Sequence, residues 1–250
     1  MKIVYSPKYR EVYAYDPAAA LGRIECIYME LQGRFEFIEP RPAVEEDIRL
    51  VHWQSHVERV KRLPQVYEIA SLAVGGAIKT AETSLKGEPA FGLIRPPGHH
   101  ASPDSSWGFC YFNNIAISIE KLRMEKRINK ALIVDFDLHF GDGTANTFAN
   151  VPEVTYFHTE GATSLEFLEN LQKFLLTHKE FDIVAVSAGF DKHVQDWGGV
   201  LKTEDYMKIG RILKEFSEEV CGGRRYAVLE GGYNQAVLGK NVKAFLEGFE

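Results

Sequence analysis

The sequence predicts an α/β protein whose mostly parallel sheet is covered by helices on both faces, and three observations carry that prediction. Short Val/Ile/Leu-rich runs are almost wholly apolar rather than alternating, as strands buried on both faces must be. A stretch with helical spacing follows each run, the pattern that parallel crossovers impose. Polar, glycine-rich segments fall directly behind the runs, where the ligands of such sheets bind.

The elements follow in order. Lys2–Tyr5 (KIVY) and Arg34–Pro40 (RFEFIEP) read as strands, the second closed by a proline that cannot extend a ladder. From Ala43 to Leu85 apolar residues recur at three- and four-residue intervals, predicting helices in VEEDIRLVH and SHVERVKRL and a longer one over Gln65–Ser84. The Gly75-Gly76 pair inside it is assigned to close packing against a neighbour. Glu88–Ile94 holds the next strand, with Ala90–Ile94 as its apolar part, and a helix follows over Asn114–Glu125. ALIVDF (131–136) precedes a short helix near Thr144–Ala149, and EVTYFH (153–158) precedes one near Ser164–His178. IVAVSA (183–188) leads through a long loop to a helix from Thr203. Thr203 is its expected N-cap, Glu204 and Asp205 favour its first turn, and Gly222-Gly223 stop it. RYAVLE (225–230) is the last strand and Gln235–Phe249 the last helix. No repeat, low-complexity segment or linker interrupts the pattern, so residues 1–250 are read as one domain.

Composition narrows the function classes. A chain of 250 residues, 45% hydrophobic and 26% charged, is long enough for one large core. Its net charge of −6 argues against direct nucleic-acid binding and is compatible with a cationic substrate. No apolar run approaches the roughly 20 residues that span a bilayer. Met1 leads straight into a strand, so no signal segment is expected. Cys26, Cys110 and Cys221 are far apart and form no Cys-x-x-Cys, which fits a reducing cytoplasm better than a disulfide framework.

Four strand ends carry the polar residues that matter. RPPGHHA (95–101) places His99 and His100 side by side behind two prolines and a glycine. VDFDLHFGDG (134–143) places Asp135, Asp137 and His139 at a spacing of two, on one face of extended backbone. Carboxylates do not end a buried strand without compensation, because an unpaired buried charge costs several kcal/mol. A metal ion is the simplest explanation, with Asp137 and His139 as ligands and Asp135 a step behind them. VSAGFDKH (186–193) offers Asp191 as the third ligand, across a glycine that lets backbone come close. LEGGY (229–233) has two glycines that free the chain to turn Tyr233 over the strand ends. Each piece alone has a plainer reading as a loop or cap, but together they crowd one sheet edge. GDGTAN is set aside as a phosphate loop, since it lacks the third glycine of a dinucleotide fingerprint and the lysine of a P-loop.

Two aspartates and one histidine leave a metal with open positions, the mark of a catalytic rather than a structural site. Such an ion polarises a carbonyl and activates water. One of the paired imidazoles suits the base and acid role while its neighbour supplies charge or a hydrogen bond. Asp135 and Asp142 are available to fix their tautomers. Tyr233 can donate to an oxyanion. The chemistry expected is metal-assisted amide hydrolysis.

These words resemble the histone deacetylase superfamily, which includes acetylpolyamine amidohydrolases and acetoin-utilisation proteins. RPPGHHA, GFCYFNN (108–114), VDFDLHFGDGT, VSAGFD and LEGGYN occur in the family's order and span most of the chain. The resemblance implies the arginase/deacetylase fold, a three-layer α/β/α sandwich. It implies that Asp137, His139 and Asp191 bind zinc, that His100 is the general base and acid oriented by Asp142, and that His99 is an electrostatic partner paired with Asp135. Tyr233 would stabilise the oxyanion, Phe109 would wall the acyl-lysine tunnel, and the Gly108 carbonyl would accept from the substrate amide. The implied substrate is an acylated amine, either acetyl-lysine or an acetylpolyamine. Ferrous iron or cobalt suits the same donors as zinc.

The sequence also departs from the pattern. Trp53 to Gly75 leaves no room for the long substrate-gripping loop or its acidic residue. The Pro-Gly-Thr-Gly loop that supplies the opposing tunnel wall is missing after YFHTEG. The mouth is therefore expected to be wider, or completed by another subunit in a homo-oligomer. Phe140 stands where a second histidine is common. The serine that often helps hold a buried potassium ion is replaced near Tyr156, leaving Asp135 as the contact through which K+ could bind.

Two rival readings remain. An arginase-like pair of manganese ions needs carboxylates where Gly141 and Gly189 stand. A non-catalytic ligand-binding relative predicts the loss of a base, a ligand or the tyrosine, and none is lost. Trp107 is read as part of the rim and Cys110 as a small buried apolar group. His52, His56, His158, His178 and His193 carry no assigned role.

Overall fold

Seven strands form one sheet in a computed structural model that describes residues 1–250. They are β1 (Lys2–Val4), β2 (Glu36–Ile38), β3 (Ala90–Gly92), β4 (Ala131–Asp135), β5 (Val154–His158), β6 (Ile183–Ala188) and β7 (Arg225–Leu229). Their order is β2-β1-β3-β7-β6-β4-β5, and every pairing is parallel. The central strands β4, β6 and β7 are buried at every residue, which is why they lack alternation.

The longer helices are α1 (Arg23–Leu31), α2 (Glu45–Ile48), α3 (Gln54–Lys61), α4 (Pro64–Ser84), α5 (Asn114–Met124), α6 (Asp142–Phe148), α7 (Ser164–Thr177), α8 (Thr203–Cys221) and α9 (Gln235–Phe249). Helix α4 packs on α5 and on β1, β3 and β7, while α8 packs on α9 and β6, and α9 on α1. The sheet is thereby sandwiched between two helical layers, the three-layer α/β/α architecture expected. One contiguous core of 63 buried residues runs from Ile3 to Phe249. No helix is long and apolar enough to cross a membrane.

Several boundaries differ from expectation. The strand expected over Arg34–Pro40 shrinks to three residues because β2 is an edge strand with β1 as its one neighbour. Helix α6 starts at Asp142, not Thr144, which places the carboxylate in the first turn. Thr203 is the first helical residue of α8 rather than its N-cap: its hydroxyl donates to Asn241 Oδ1 (2.7 Å). Tertiary pairing with α9 has taken the side chain that would have capped the helix. Gly222, at φ +61°, ends α8 as expected.

Gly75 shows the close packing assigned to it. A Cβ there would lie 1.9 Å from the carbonyl oxygen of Arg41 and 2.8 Å from Ala43 N. The Arg41–Ala43 segment is held against α4 by a hydrogen bond from Ala43 N–H to Ser71 O (2.9 Å). Gly75→Ala is therefore expected to destabilise the protein by about 3 kcal/mol, the upper part of the overpacking range, despite the better helix propensity of alanine. Urea unfolding monitored by circular dichroism checks this; an unchanged midpoint would contradict it.

Candidate active site

The residues singled out from the sequence converge at the carboxyl ends of β3, β7, β6 and β4, four neighbours in the middle of the sheet. The RPPGHHA loop leaves β3 through a cis Arg95–Pro96 bond, Asp137 and His139 follow β4, Asp191 follows β6, and Tyr233 follows β7. They share a cavity of about 310 Å³, lined among others by His99, His100, His139 and Tyr233. A larger polar cleft of about 710 Å³ lies at the opposite, amino-terminal edge of the sheet, among Arg123, Arg127 and Arg224. It brings no nucleophile, base or metal-binding group together.

Asp137, His139 and Asp191 have donor atoms within 4.8 Å of one another, and they are the one such cluster in the chain. Nδ1 of His139 is 3.3 Å from Asp137 Oδ1 and 3.2 Å from Asp191 Oδ2. The outer oxygens are tied to main chain: Gly231 N–H donates to Asp137 Oδ2 (2.8 Å) and Leu138 N–H to Asp191 Oδ1 (3.0 Å). Asp191 Oδ2 is buried and accepts no hydrogen bond, its approach to His139 being out of alignment. The close approach of the Asp137 and Asp191 carboxylates pushes the His139 imidazole up to about 10. Burial, followed by the charge of Asp137, pushes the Asp191 carboxyl up to about 6. Asp191 Oδ2, buried without a donor beside two further ligand atoms, leaves a place for positive charge between the three groups that a divalent cation would fill. The donor set therefore fits a metal.

It fits one ion, not two. A Cβ at Gly189 would meet Asp137 Oδ2 at 2.0 Å, and one at Gly141 would meet Asp135 Oδ2 at 2.5 Å. Neither position can carry the extra carboxylate that a binuclear centre needs.

Each imidazole has a carboxylate behind it. His99 Nδ1 donates to Asp135 Oδ2 (3.0 Å), and His100 Nδ1 to Asp142 Oδ1 (2.6 Å). Burial opposes the charge on His99, but Asp137 and Asp135 outweigh it and hold the ring well above its ordinary value. His100 moves the other way, lowered by burial and by the adjacent His99. The two neighbouring imidazoles are thus shifted in opposite directions, the separation that acid–base work exploits.

Gly108 and Phe109 form the near wall, both with left-handed backbone (φ +58° and +65°). A Cβ at Gly108 would lie 2.4 Å from the His100 ring, so only glycine fits against it. Phe109 meets Tyr233 edge-on at 6.0 Å. Burial keeps the Tyr233 phenol far above its usual range, so its proton stays in place. Trp107 lies against His100 (ring centroids 3.9 Å) and its Nε1–H donates to Asp142 Oδ2 (2.8 Å). Trp197 stacks on Tyr233 at 4.1 Å. The chain itself therefore lines the mouth with two half-exposed indoles.

Comparison with known proteins agrees with this geometry. The profile of the histone deacetylase domain matches residues 18–162 and 158–249. The chain belongs to the histone deacetylase family. A probable deacetylase of Methanothermobacter thermautotrophicus is 30% identical, covering 100% of this chain and 91% of the relative. That alignment runs to 305 positions against the 250 residues of this chain, which is therefore the shorter of the two. The histone deacetylase-like amidohydrolase of Pseudomonas aeruginosa is 28% identical over 83% of this chain and 69% of its own length. The polyamine deacetylase HDAC10 of Danio rerio is 29% identical over 85% of this chain and 40% of its own. The crystal structure of the HDA15 HD domain shares the fold with a TM-score of 0.84 at 22% identity, covering 99% of this chain and 88% of that one. Relatives so named place this family member among hydrolases.

Sequence reasoning missed three supports of the deacetylase site. Glu230, fully buried, accepts from Gly98 N–H (2.7 Å) and His99 N–H (3.2 Å) through Oε2, and from Ser187 Oγ–H (3.2 Å) through Oε1. It clamps the histidine loop. Asp196 Oδ2 accepts from the N–H groups of Tyr233 (2.8 Å) and Asn234 (2.7 Å). Arg23, also buried, donates to Gly232 O (2.8 Å) and Glu230 O (2.5 Å). Glu230 carried the signal already used for Asp135, a carboxylate at the end of an apolar strand. Glu230→Ala leaves two buried main-chain donors without partners, and is expected to cost about 3 kcal/mol or more. Glu230→Gln keeps an acceptor and should cost roughly a third of that. Chemical denaturation of both variants tests the clamp; equal losses would rule it out.

Proposed function

We propose that this family member is a metal-dependent deacylase that hydrolyses the amide of an acylated amine, of the acetyl-lysine or acetylpolyamine class. The observation that carries the reading is the buried, donorless Asp191 Oδ2 facing His139 Nδ1 beside Asp137. Those three residues would hold one divalent ion, which we take to be zinc; ferrous iron and cobalt suit the same donors. When bound, such an ion polarises the scissile carbonyl and lowers the pKa of a water molecule.

The chain's own residues do the rest. His100, kept neutral by burial and oriented through Nδ1 by Asp142, has Nε2 free to take the proton of the attacking water. His99 stays protonated against Asp135 and Asp137 and stabilises negative charge developing beside it. Tyr233 donates its O–H to the oxyanion. His100 then returns the proton to the amine nitrogen as the C–N bond breaks, releasing a carboxylate and the free amine. Gly108 O and Phe109 position the acyl amide. Trp107 and Trp197 present aromatic faces to an aliphatic stem or its distal cation. Three unpaired cysteines support a reducing compartment such as the cytoplasm.

Two measurements test this. Acetate release from acetyl-lysine and acetylpolyamine panels should vanish on chelation and return with zinc, iron or cobalt. Asp191→Asn should fail to retain metal by elemental analysis. Activity that survives chelation in metal-free protein sinks the reading. Tyr233→Phe should lower kcat by about 10²–10³, as the loss of an oxyanion donor does, without lowering the melting temperature.

A further inference from the structure

Asp135 lies beneath the metal cluster with its oxygens already occupied. Oδ1 accepts from Asp137 N–H (3.0 Å), and Oδ2 accepts from His99 Nδ1–H (3.0 Å) and Tyr156 O–H (2.9 Å). Its main-chain carbonyl accepts from Thr159 N–H (2.9 Å). The neighbouring carbonyl of Asp137 accepts from His158 Nε2 (2.9 Å), which fixes the proton on that nitrogen, since a carbonyl can only accept.

The resemblance allowed a potassium ion here, held through Asp135. The residues do not fit one. A desolvated potassium ion needs a shell of oxygens to replace its water, and here the Asp135 carboxylate and the carbonyls of Asp135 and Asp137 already accept from donors. The space is also filled. Tyr156 Oη accepts from Gly141 N–H (2.9 Å), so its own proton is directed to Asp135. A Cβ on Gly141 would fall 2.7 Å from that phenol oxygen. Phe140 lies edge-on to both Tyr156 and His158 at 5.6 Å and covers the pair.

A cation is nevertheless present, on this chain. Lys192 is 4% exposed, with Nζ donating to Thr159 O (3.2 Å) and seated 4.9 Å from the centre of the Phe167 ring. Thr159 is the residue whose N–H binds Asp135 O.

We propose that Tyr156, His158 and Lys192 together replace a buried monovalent cation beneath Asp135, so that this deacetylase relative needs no potassium. The first two supply the donors, and the third supplies the charge.

Thermal melting of the metal-loaded chain in KCl and in choline chloride at equal ionic strength tests this without relying on turnover. An ion at a hundredfold its Kd would raise the melting temperature by about 5–10 °C. The wild type is expected to melt within about 1 °C in the two salts. Tyr156→Ser trades the phenol for a hydroxyl and opens the space; it should melt lower in choline chloride and recover in KCl. If that variant does not fold, Tyr156→Phe keeps the ring, loses the donor and should melt lower equally in both salts. A wild type stabilised by KCl by about 5 °C or more overturns the proposal. So do a thallium ion beside Asp135 in soaked crystals, a salt-blind Tyr156→Ser, or a Tyr156→Phe as stable as the wild type.

Discussion

Four carboxylates buried side by side govern this end of the molecule. Asp135 ends β4, while Asp137, Asp191 and Glu230 follow the adjacent strands β4, β6 and β7, and none of the four is more than 1% exposed. Each would cost several kcal/mol if left unpaired. Main-chain N–H groups of Gly98, His99, Asp137, Leu138, His139 and Gly231 are therefore drawn onto them. The loops that bear the imidazoles are pinned by these acceptors. Amide donors stabilise charge without cancelling it, so the remaining deficit falls to His99, to Lys192 and to whatever cation sits between Asp137, His139 and Asp191.

The same crowding limits what that cation can be. Gly189 and Gly231 would each drive a Cβ into Asp137 Oδ2, at 2.0 and 2.5 Å. The backbone of β6 and β7 thus closes over the inner side of the cluster. His139, 39% exposed at its side chain, opens the other side to the cavity. One ion with a solvent-facing side follows from that shape, and a binuclear centre does not.

Legibility in the sequence followed the range of the interaction. Asp135, Asp137, His139 and Asp191 could be read because a carboxylate at the end of an apolar strand is a conflict visible within a few residues. Glu230 presents the same conflict, but its partners Gly98 and His99 are over a hundred positions away, and nothing local distinguishes a clamp from a strand terminus. Asp196 serves Tyr233 across the whole of α8 and β7, and Arg23 reaches Gly232 across most of the chain. Thr203 was misread for the same reason: local chemistry favoured a cap, while Asn241 on α9 offered a better partner. The alternation of strands and helices was legible because both periodicities are local. The roles of Tyr156 and His158 were not, since their meaning depends on which oxygens of β4 they face.

Short loops leave the two indoles with more than one task. Trp107 is 56% exposed, yet its ring lies on His100 and its N–H holds Asp142 Oδ2. Asp142 therefore has one oxygen for the imidazole and the other for the indole, which prevents the carboxylate from rotating away from His100. Its place at the start of α6 also sets it in the favourable field of a helix N-terminus. In a chain without long loops to enclose the mouth, a surface aromatic residue is the cheapest means of fixing a part-exposed carboxylate. It excludes water from one side of the pair while leaving the other open to substrate. Trp197, 52% exposed and stacked on Tyr233, does the same for the phenol. The rim and the proton-handling groups are thus one construction, and the width of the mouth and the order of the site are set by the same two side chains.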